Sequence, residues 1–170
     1  LSAVQQEFRQ LSVQASWVRE SGFHLTLKFL GEVEPPRIER IVSCMVETSR
    51  MWAPFSVTVA GVGLFPQNPQ PRILWAGIQD VSQHLGQLQQ TMDFQLACIG
   101  FPRENRLFRP HLTLARLKRI DRWEEFKACV ARHADDTLGR MDVGRLELLE
   151  SQLHSTGAHY STLSAVPLSG

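Results

Sequence analysis

The tetrapeptide His-Leu-Thr-Leu occurs twice in this chain, at His24 to Leu27 and again at His111 to Leu114. In the first copy Leu25, Leu27 and Phe29 alternate with His24, Thr26 and Lys28. Side chains of a β-strand point to opposite faces with a period of two. The pattern therefore predicts two strands with leucines turned to a core. Each strand presents an imidazole and a hydroxyl on its other face, His24 with Thr26 and His111 with Thr113. Two such strands could supply an acid, a base and two hydrogen-bond donors to one oxyanion.

Period and punctuation predict the remaining elements. Val4 to Gln14 reads as a helix with Val4, Phe8 and Leu11 on one side. Ser16 to Arg19 reads as a short extended piece, Gly22 breaks before the first motif strand, and Gly31 ends it. Pro35-Pro36 opens a second helix, since proline is tolerated in a first turn. Its Ile38, Ile41, Val42, Met45 and Val46 follow a 3.6-residue period. Phe55 to Leu64 and Arg72 to Gln79 read as strands around a Pro-rich loop from Phe65 to Pro71. Asp80 is the predicted N-cap of a helix carrying Val81, Leu85, Leu88 and Met92. Gly100 and Pro102 stop that run, and Arg103 to Arg109 is a basic loop. After the second motif strand, Asp121-Arg122-Trp123-Glu124 resembles a capping box opening a helix with Trp123, Phe126 and Val130 buried. Met141 to Leu153 and Tyr160 to Pro167 read as two final strands. Helices interleaved with antiparallel strands, one motif per half, predict an α+β fold with an internal pseudo-duplication.

Composition narrows the function classes. A formal net charge of +1 over 170 residues excludes a generic nucleic-acid-coating protein. RNA contact should then be local and small. Cys44, Cys98 and Cys129 have no CxxC spacing, which predicts free thiols in a reducing compartment such as the cytoplasm. No apolar run approaches the ~20 residues of a membrane span, and no signal peptide is visible.

A single histidine on a strand is usually structural. The same two polar residues on the same face of two apolar strands are not, because burying them unpaired would cost roughly 1–3 kcal/mol each. Metal is the weaker reading of the pair. Neither motif has Cys, Asp or Glu on its site face, threonine is a poor zinc ligand, and HExxH is absent. A serine triad lacks its GxSxG, and a phosphate loop of the GxxxxGK[ST] type is missing. Acid–base chemistry on a phosphodiester fits without a metal. Imidazole titrates near ~6.5, so two rings can hold opposite protonation states at neutral pH. Each such group contributes about 10²–10⁴-fold in rate. The threonine hydroxyls would hold the non-bridging oxygens as charge builds on them.

Five segments carry a resemblance. HLTLKFLGEV at 24–33, GLFP at 63–66, PRILWAGI at 71–78, FRPHLTLARLKR at 108–119 and the tail through Gly157, Tyr160 and Leu163 resemble the RNA 2′,3′-cyclic phosphodiesterases. Those enzymes belong to the LigT-like, two-H phosphoesterase superfamily. The resemblance covers nearly the whole chain from Trp17 onward. It implies one bilobal α+β domain over residues 1–170, with two pseudo-symmetric lobes of antiparallel sheet and helix around a central cleft. It implies a monomer that needs no cofactor and no metal, and that opens 2′,3′-cyclic phosphates on RNA ends or nucleotides, tRNA fragments among them, to 2′-phosphates. Joining such an end to a 5′-hydroxyl through a 2′–5′ linkage is the alternative reaction. A non-catalytic RNA-end binding module is the third reading, although arginine and lysine would serve bare phosphate binding better.

Carried over residue by residue, the resemblance makes His24 and His111 the catalytic pair. Thr26 and Thr113 become phosphate binders. Arg116, the arginine of HLTLAR, becomes a third phosphate contact. Strict alternation puts Arg116 on the face opposite His111, so a β-bulge is required to bring it round. Phe65 in GLFP and Trp17 before the first motif are the candidates for stacking on a base, a contact of ~1–3 kcal/mol. Lys28 is expected at a solvated edge, and Arg109, Lys118, Arg119 and Arg122 as surface charges giving a positive bias to the cleft rim. His84, His133, His154 and His159 read as surface or capping residues. Family members begin with a strand of the form RLFIAL before the first helix. This chain starts at Leu1 in the helix, so either the native N-terminus is longer or the sheet lacks that strand. Without that strand the sheet would expose an edge.

Overall fold

A computed structural model of the chain describes residues 1–67, 70–154 and 157–170, with no side-chain description at 153–158. The expectations for His154 as a surface residue and for the loop around Asn68 and Pro69 fall outside that description. In chain order the elements are α1 (Ser2–Arg9), β1 (Val13–Trp17), a 3₁₀ turn (Glu20–Gly22), α2 (Pro35–Ser49), β2 (Phe55–Phe65), β3 (Ile73–Gln79), α3 (His84–Cys98), β4 (His111–Ile120), α4 (Trp123–Arg132), β5 (Thr137–Val143), β6 (Arg145–His154) and β7 (Gly157–Pro167). The α+β class is as the periodicities predict. A five-stranded sheet has the order β1-β4-β3-β2-β5, and β6 pairs with β7 in a separate hairpin. The pairings of β1 with β4, β4 with β3, β3 with β2 and β6 with β7 are all antiparallel.

Two compact units alternate along the chain. The first comprises Leu1–Leu25, Thr58–Gln79 and Pro110–Arg140. Its core is built on α1 and α4, where the buried rings of Phe8 and Phe126 lie 5.1 Å apart. Leu74 of β3 and Leu114 of β4 are fully buried in the same unit. The second comprises Thr26–Val57, Asp80–Arg109 and Met141–Gly170. There Ile41 and Met45 of α2 pack with Leu88 and Met92 of α3 and with Leu146 and Val166 of the β6–β7 hairpin. Both histidines of the repeated motif belong to the first unit, and Thr26 opens the second.

Several boundaries differ from expectation for local reasons. The first helix stops at Arg9 rather than Gln14, because Ser12 takes a left-handed φ of 55° and turns the chain into β1. The first motif does not form a strand. Leu25 alone makes an isolated antiparallel bridge, to Leu112. Beyond it the Leu27 carbonyl accepts a bond from the Gln89 side chain (3.4 Å), a partner from α3 rather than from a neighbouring strand. Phe29, expected to face the core, is 77% exposed. Asp80 does serve the start of α3, accepting from the backbone N–H groups of Leu85 (2.8 Å) and Gly86 (3.3 Å), although the helix begins at His84. Val81, placed in that helix by its period, precedes it and is exposed. Asp121 does not cap α4. It pairs with Arg119 at 2.6 Å, and the helix starts at Trp123 without a side-chain cap. The strand read as continuous from Met141 breaks at Gly144 into β5 and β6, which lie in different sheets.

Candidate active site

Register in the five-stranded sheet decides which side chains share a face. Opposite residues of an antiparallel pair lie on the same side of the sheet. His111 is opposite Gly77, and Thr113 is opposite Trp75. Trp75 is in turn opposite Gly63, and Phe65 is opposite Ile73. One face of β2, β3 and β4 therefore carries Phe65, Trp75, His111 and Thr113. Leu64, Leu74, Ala76 and Leu112 occupy the other face and are buried. The rings make a cluster. Phe65 lies 5.1 Å from His111 edge-on and 5.0 Å from Trp75, and Trp75 lies 6.3 Å from His111.

Two glycines make room for this cluster. A Cβ on Gly63 would fall on the Trp75 indole, against Cζ2. One on Gly77 would stand 2.6 Å from the Ala60 carbonyl oxygen. Neither position accepts a side chain without displacing its neighbour. The indole nitrogen of Trp75 is buried with no hydrogen-bond partner among the described residues.

Arg116 reaches this face through a bulge. Leu74 is opposite Ala115 and Trp75 is opposite Thr113, so Leu114 is an extra residue in β4. One extra residue inverts the alternation that follows. Leu114 and Ala115 are both buried, and Arg116 comes out opposite Ile73 on the side of His111 and Thr113. The extra peptide is satisfied from both sides. The Leu114 carbonyl accepts from the backbone of Val18 (3.0 Å) and from the buried Gln5 side chain of α1 (2.8 Å). Gln5 also donates to the Val18 carbonyl at 2.9 Å.

The same inversion turns Trp17 away. It is opposite Ala115, not Arg116, and the Arg9 guanidinium of α1 covers its ring at 4.7 Å. Trp17 therefore lies on the face opposite His111, where it packs against Arg9.

His24 comes to β4 by the isolated bridge. The antiparallel sense of the Leu25–Leu112 pair sets the residue before Leu25 beside the residue after Leu112, which is His24 beside Thr113. Its Nδ1 lies 2.9 Å from the carbonyl of Gly22, at the end of the 3₁₀ turn. A carbonyl only accepts, so Nδ1 donates its proton there. In the neutral ring Nε2 is then left as the acceptor nitrogen. Thr26 lies two residues further on, at the first position of the second unit.

In that second unit Lys28 is not at a solvated edge. Its side chain is 6% exposed and ion-paired with Asp93, itself 5% exposed. Lys28 also donates to the Pro102 carbonyl at 2.6 Å. Arg103 and the backbone N–H of Glu104 complete the shell of Asp93. Burial alone would raise the Asp93 carboxyl, but the bonds from Lys28 and Arg103 hold it below the ordinary carboxylate range. Arg119 and Arg122 are committed to Asp121 and Glu125. Sequence reasoning missed Trp75, Gln5 and Asp93. For Trp75 a signal existed, since Ile73, Trp75 and Gly77 alternate in PRILWAGI; Gln5 and Asp93 act across long sequence separations and leave none.

Residues 1–75 and 77–160 match the family model described as LigT like Phosphoesterase. An RNA 2′,3′-cyclic phosphodiesterase of Methanothermobacter thermautotrophicus is 27% identical over 168 residues, covering 99% of this chain and 90% of that one. One from Thermotoga maritima is 34% identical over 150 residues, 88% of this chain and 77% of the relative. In three dimensions the chain is similar to E. coli LigT complexed with 3′-AMP, with a TM-score of 0.70 at 20% identity over 100% of this chain and 94% of the other.

Proposed function

The chain belongs to the LigT-like phosphoesterase family, and from that premise we propose that it hydrolyses the 2′,3′-cyclic phosphate of RNA ends and nucleotides to a 2′-phosphate, without a metal, using His24 and His111. The observation that carries this reading is the pairing of the two motif segments through Leu25 and Leu112, which sets His24 beside Thr113 on the strand that begins with His111. The relatives named as RNA 2′,3′-cyclic phosphodiesterases support the substrate class.

In the reaction one neutral imidazole takes a proton from water as the oxygen attacks phosphorus. The other imidazole, protonated, gives its proton to the departing 3′-oxygen. Anchorage of Nδ1 on the Gly22 carbonyl supports proton traffic at Nε2 for His24. Thr113, Thr26 and Arg116 would hold the non-bridging oxygens, whose charge grows in the transition state. Phe65, edge-on to His111, is the surface against which the base would lie. The described side chains on this face offer imidazole, hydroxyl, guanidinium and aromatic groups. Free Cys44, Cys98 and Cys129 support a reducing compartment such as the cytoplasm. No described helix is long and apolar enough to cross a membrane.

The test is product analysis of a 2′,3′-cyclic mononucleotide incubated with protein in excess EDTA. Conversion to the 2′-monophosphate is expected, with His24→Ala and His111→Ala each at least about 100-fold slower and still folded. Loss of activity in EDTA, a 3′-monophosphate product, or full activity in either variant would overturn the reading.

A further inference from the structure

His133 joins two acidic groups that one neutral imidazole cannot satisfy. It sits at the C-cap of α4 and is buried, not on the surface. Its Nδ1 lies 2.7 Å from Asp136 Oδ2, and its Nε2 lies 3.2 Å from Glu7 Oε2 of α1. A neutral ring has a single N–H to give. Cys129 is one helical turn earlier on the same face, and its thiol is buried. The ligating atoms of Glu7, Cys129 and His133 all lie within 4.8 Å of one another. None of the three belongs to the proposed catalytic face.

We infer that Glu7, Cys129 and His133 form a binding site for a zinc-class divalent cation that clips α1 to α4. Thiolate, imidazole and carboxylate together are a zinc-type donor set. Two ligands held ~2.0 Å from a tetrahedral zinc stand ~3.3 Å apart, close to the 3.2 Å between Glu7 and His133. A cation on Nε2 leaves the remaining ring proton on Nδ1, where Asp136 accepts it. Metal-bound histidines are oriented by carboxylates in this way. Binding releases the Cys129 thiol proton to solvent, and water fills the fourth position. The site already attracts positive charge. The Arg132 guanidinium lies 3.3 Å from the Cys129 sulfur and 3.5 Å from Glu7. Its side chain is 67% exposed, so it can withdraw to solvent as the metal enters.

Titration of the whole protein with Co²⁺ tests the site, because a thiolate–cobalt bond has its own near-ultraviolet charge-transfer band. The expected result is that band at one equivalent, displaced by Zn²⁺, with a Zn²⁺-dependent rise in melting temperature. Cys129→Ser should lose the band. Glu7→Gln, at an exposed position, should weaken binding at least tenfold without threatening the fold. Asp136→Asn should weaken it about 10–100-fold, as outer-shell partners do. Arg132→Gln should tighten it by removing the competing cation. Absence of the band in the unaltered protein, or its survival in Cys129→Ser, overturns the site. So does affinity unchanged by Glu7→Gln and Asp136→Asn.

Discussion

In the proposed reaction Trp75 would orient the ring of His111 without touching the substrate. Its indole stands against both Phe65 and His111 and is opposite Thr113. General acid–base chemistry tolerates little misplacement, and an error of about 1 Å can cost 10²-fold. Trp75→Ala should therefore lower kcat by about 10²-fold, with KM changed less. Gly63→Ala should act in the same direction, because its new methyl would fall on the indole. Steady-state kinetics with circular dichroism as the folding control checks both. Gln5 plays a second single-residue role. It supplies a buried donor to the carbonyls of Val18 and Leu114 that flank the bulge. Gln5→Leu should cost about 1–3 kcal/mol, read as a drop of roughly 2–4 °C in Tm per kcal/mol for a chain of this size. A Tm within 1 °C of the unaltered protein would show the bulge held by its backbone alone.

At the scale of elements, the buried Lys28–Asp93–Arg103 cluster ties the segment after Thr26 to α3 and to the loop beyond Phe101. Removing one partner of a buried ion pair typically costs about 3–5 kcal/mol. Asp93→Asn should lose stability on that scale at neutral pH. The pH dependence has a definite sign. The folded carboxyl titrates below its unfolded value of ~3.9, so its stabilisation is present above that value and lost as pH falls through the lower folded one. Denaturant unfolding between pH 3 and 7 should show that acid limb in the parent and a flatter one in Asp93→Asn; parallel curves would refute the assignment. The elements themselves were largely legible. Helices α2 and α3 and strands β2, β3, β4 and β7 followed from period and from Gly and Pro punctuation. What the pattern could not supply was register. The bulge at Leu114 is invisible in a run of alternating residues, and it reverses the facing of both Arg116 and Trp17. The first motif reads as a strand by alternation, yet its Leu27 carbonyl bonds a side chain of α3, a partner 62 residues away.

Across the whole molecule, the two H-x-T motifs suggest one motif per half, whereas the compact units interleave along the chain and both histidines fall in the first. Sequence order gave no access to that, since contacts between distant segments define a unit. Charge, by contrast, was readable at once and bears on the RNA substrate proposed above. The formal net charge is only +1. Many cations are already spent on acidic neighbours, as in Arg119–Asp121, Arg122–Glu125, Lys127–Glu124 and Arg145–Glu147. Single-stranded nucleic acid releases counterions on binding with a slope near −0.7 per neutralised phosphate. A footprint of about two or three phosphates around a cyclic end therefore predicts that log(kcat/KM) falls with log[salt] at a slope no steeper than about −2. The measurement is turnover of an oligoribonucleotide ending in a 2′,3′-cyclic phosphate over a range of KCl concentrations, beside the cyclic mononucleotide. Slopes that nearly coincide would mean that recognition is confined to the end. A slope well beyond −2 for the oligonucleotide alone would mean that the chain tracks the RNA body through a basic surface, and would refute a footprint confined to the cyclic end.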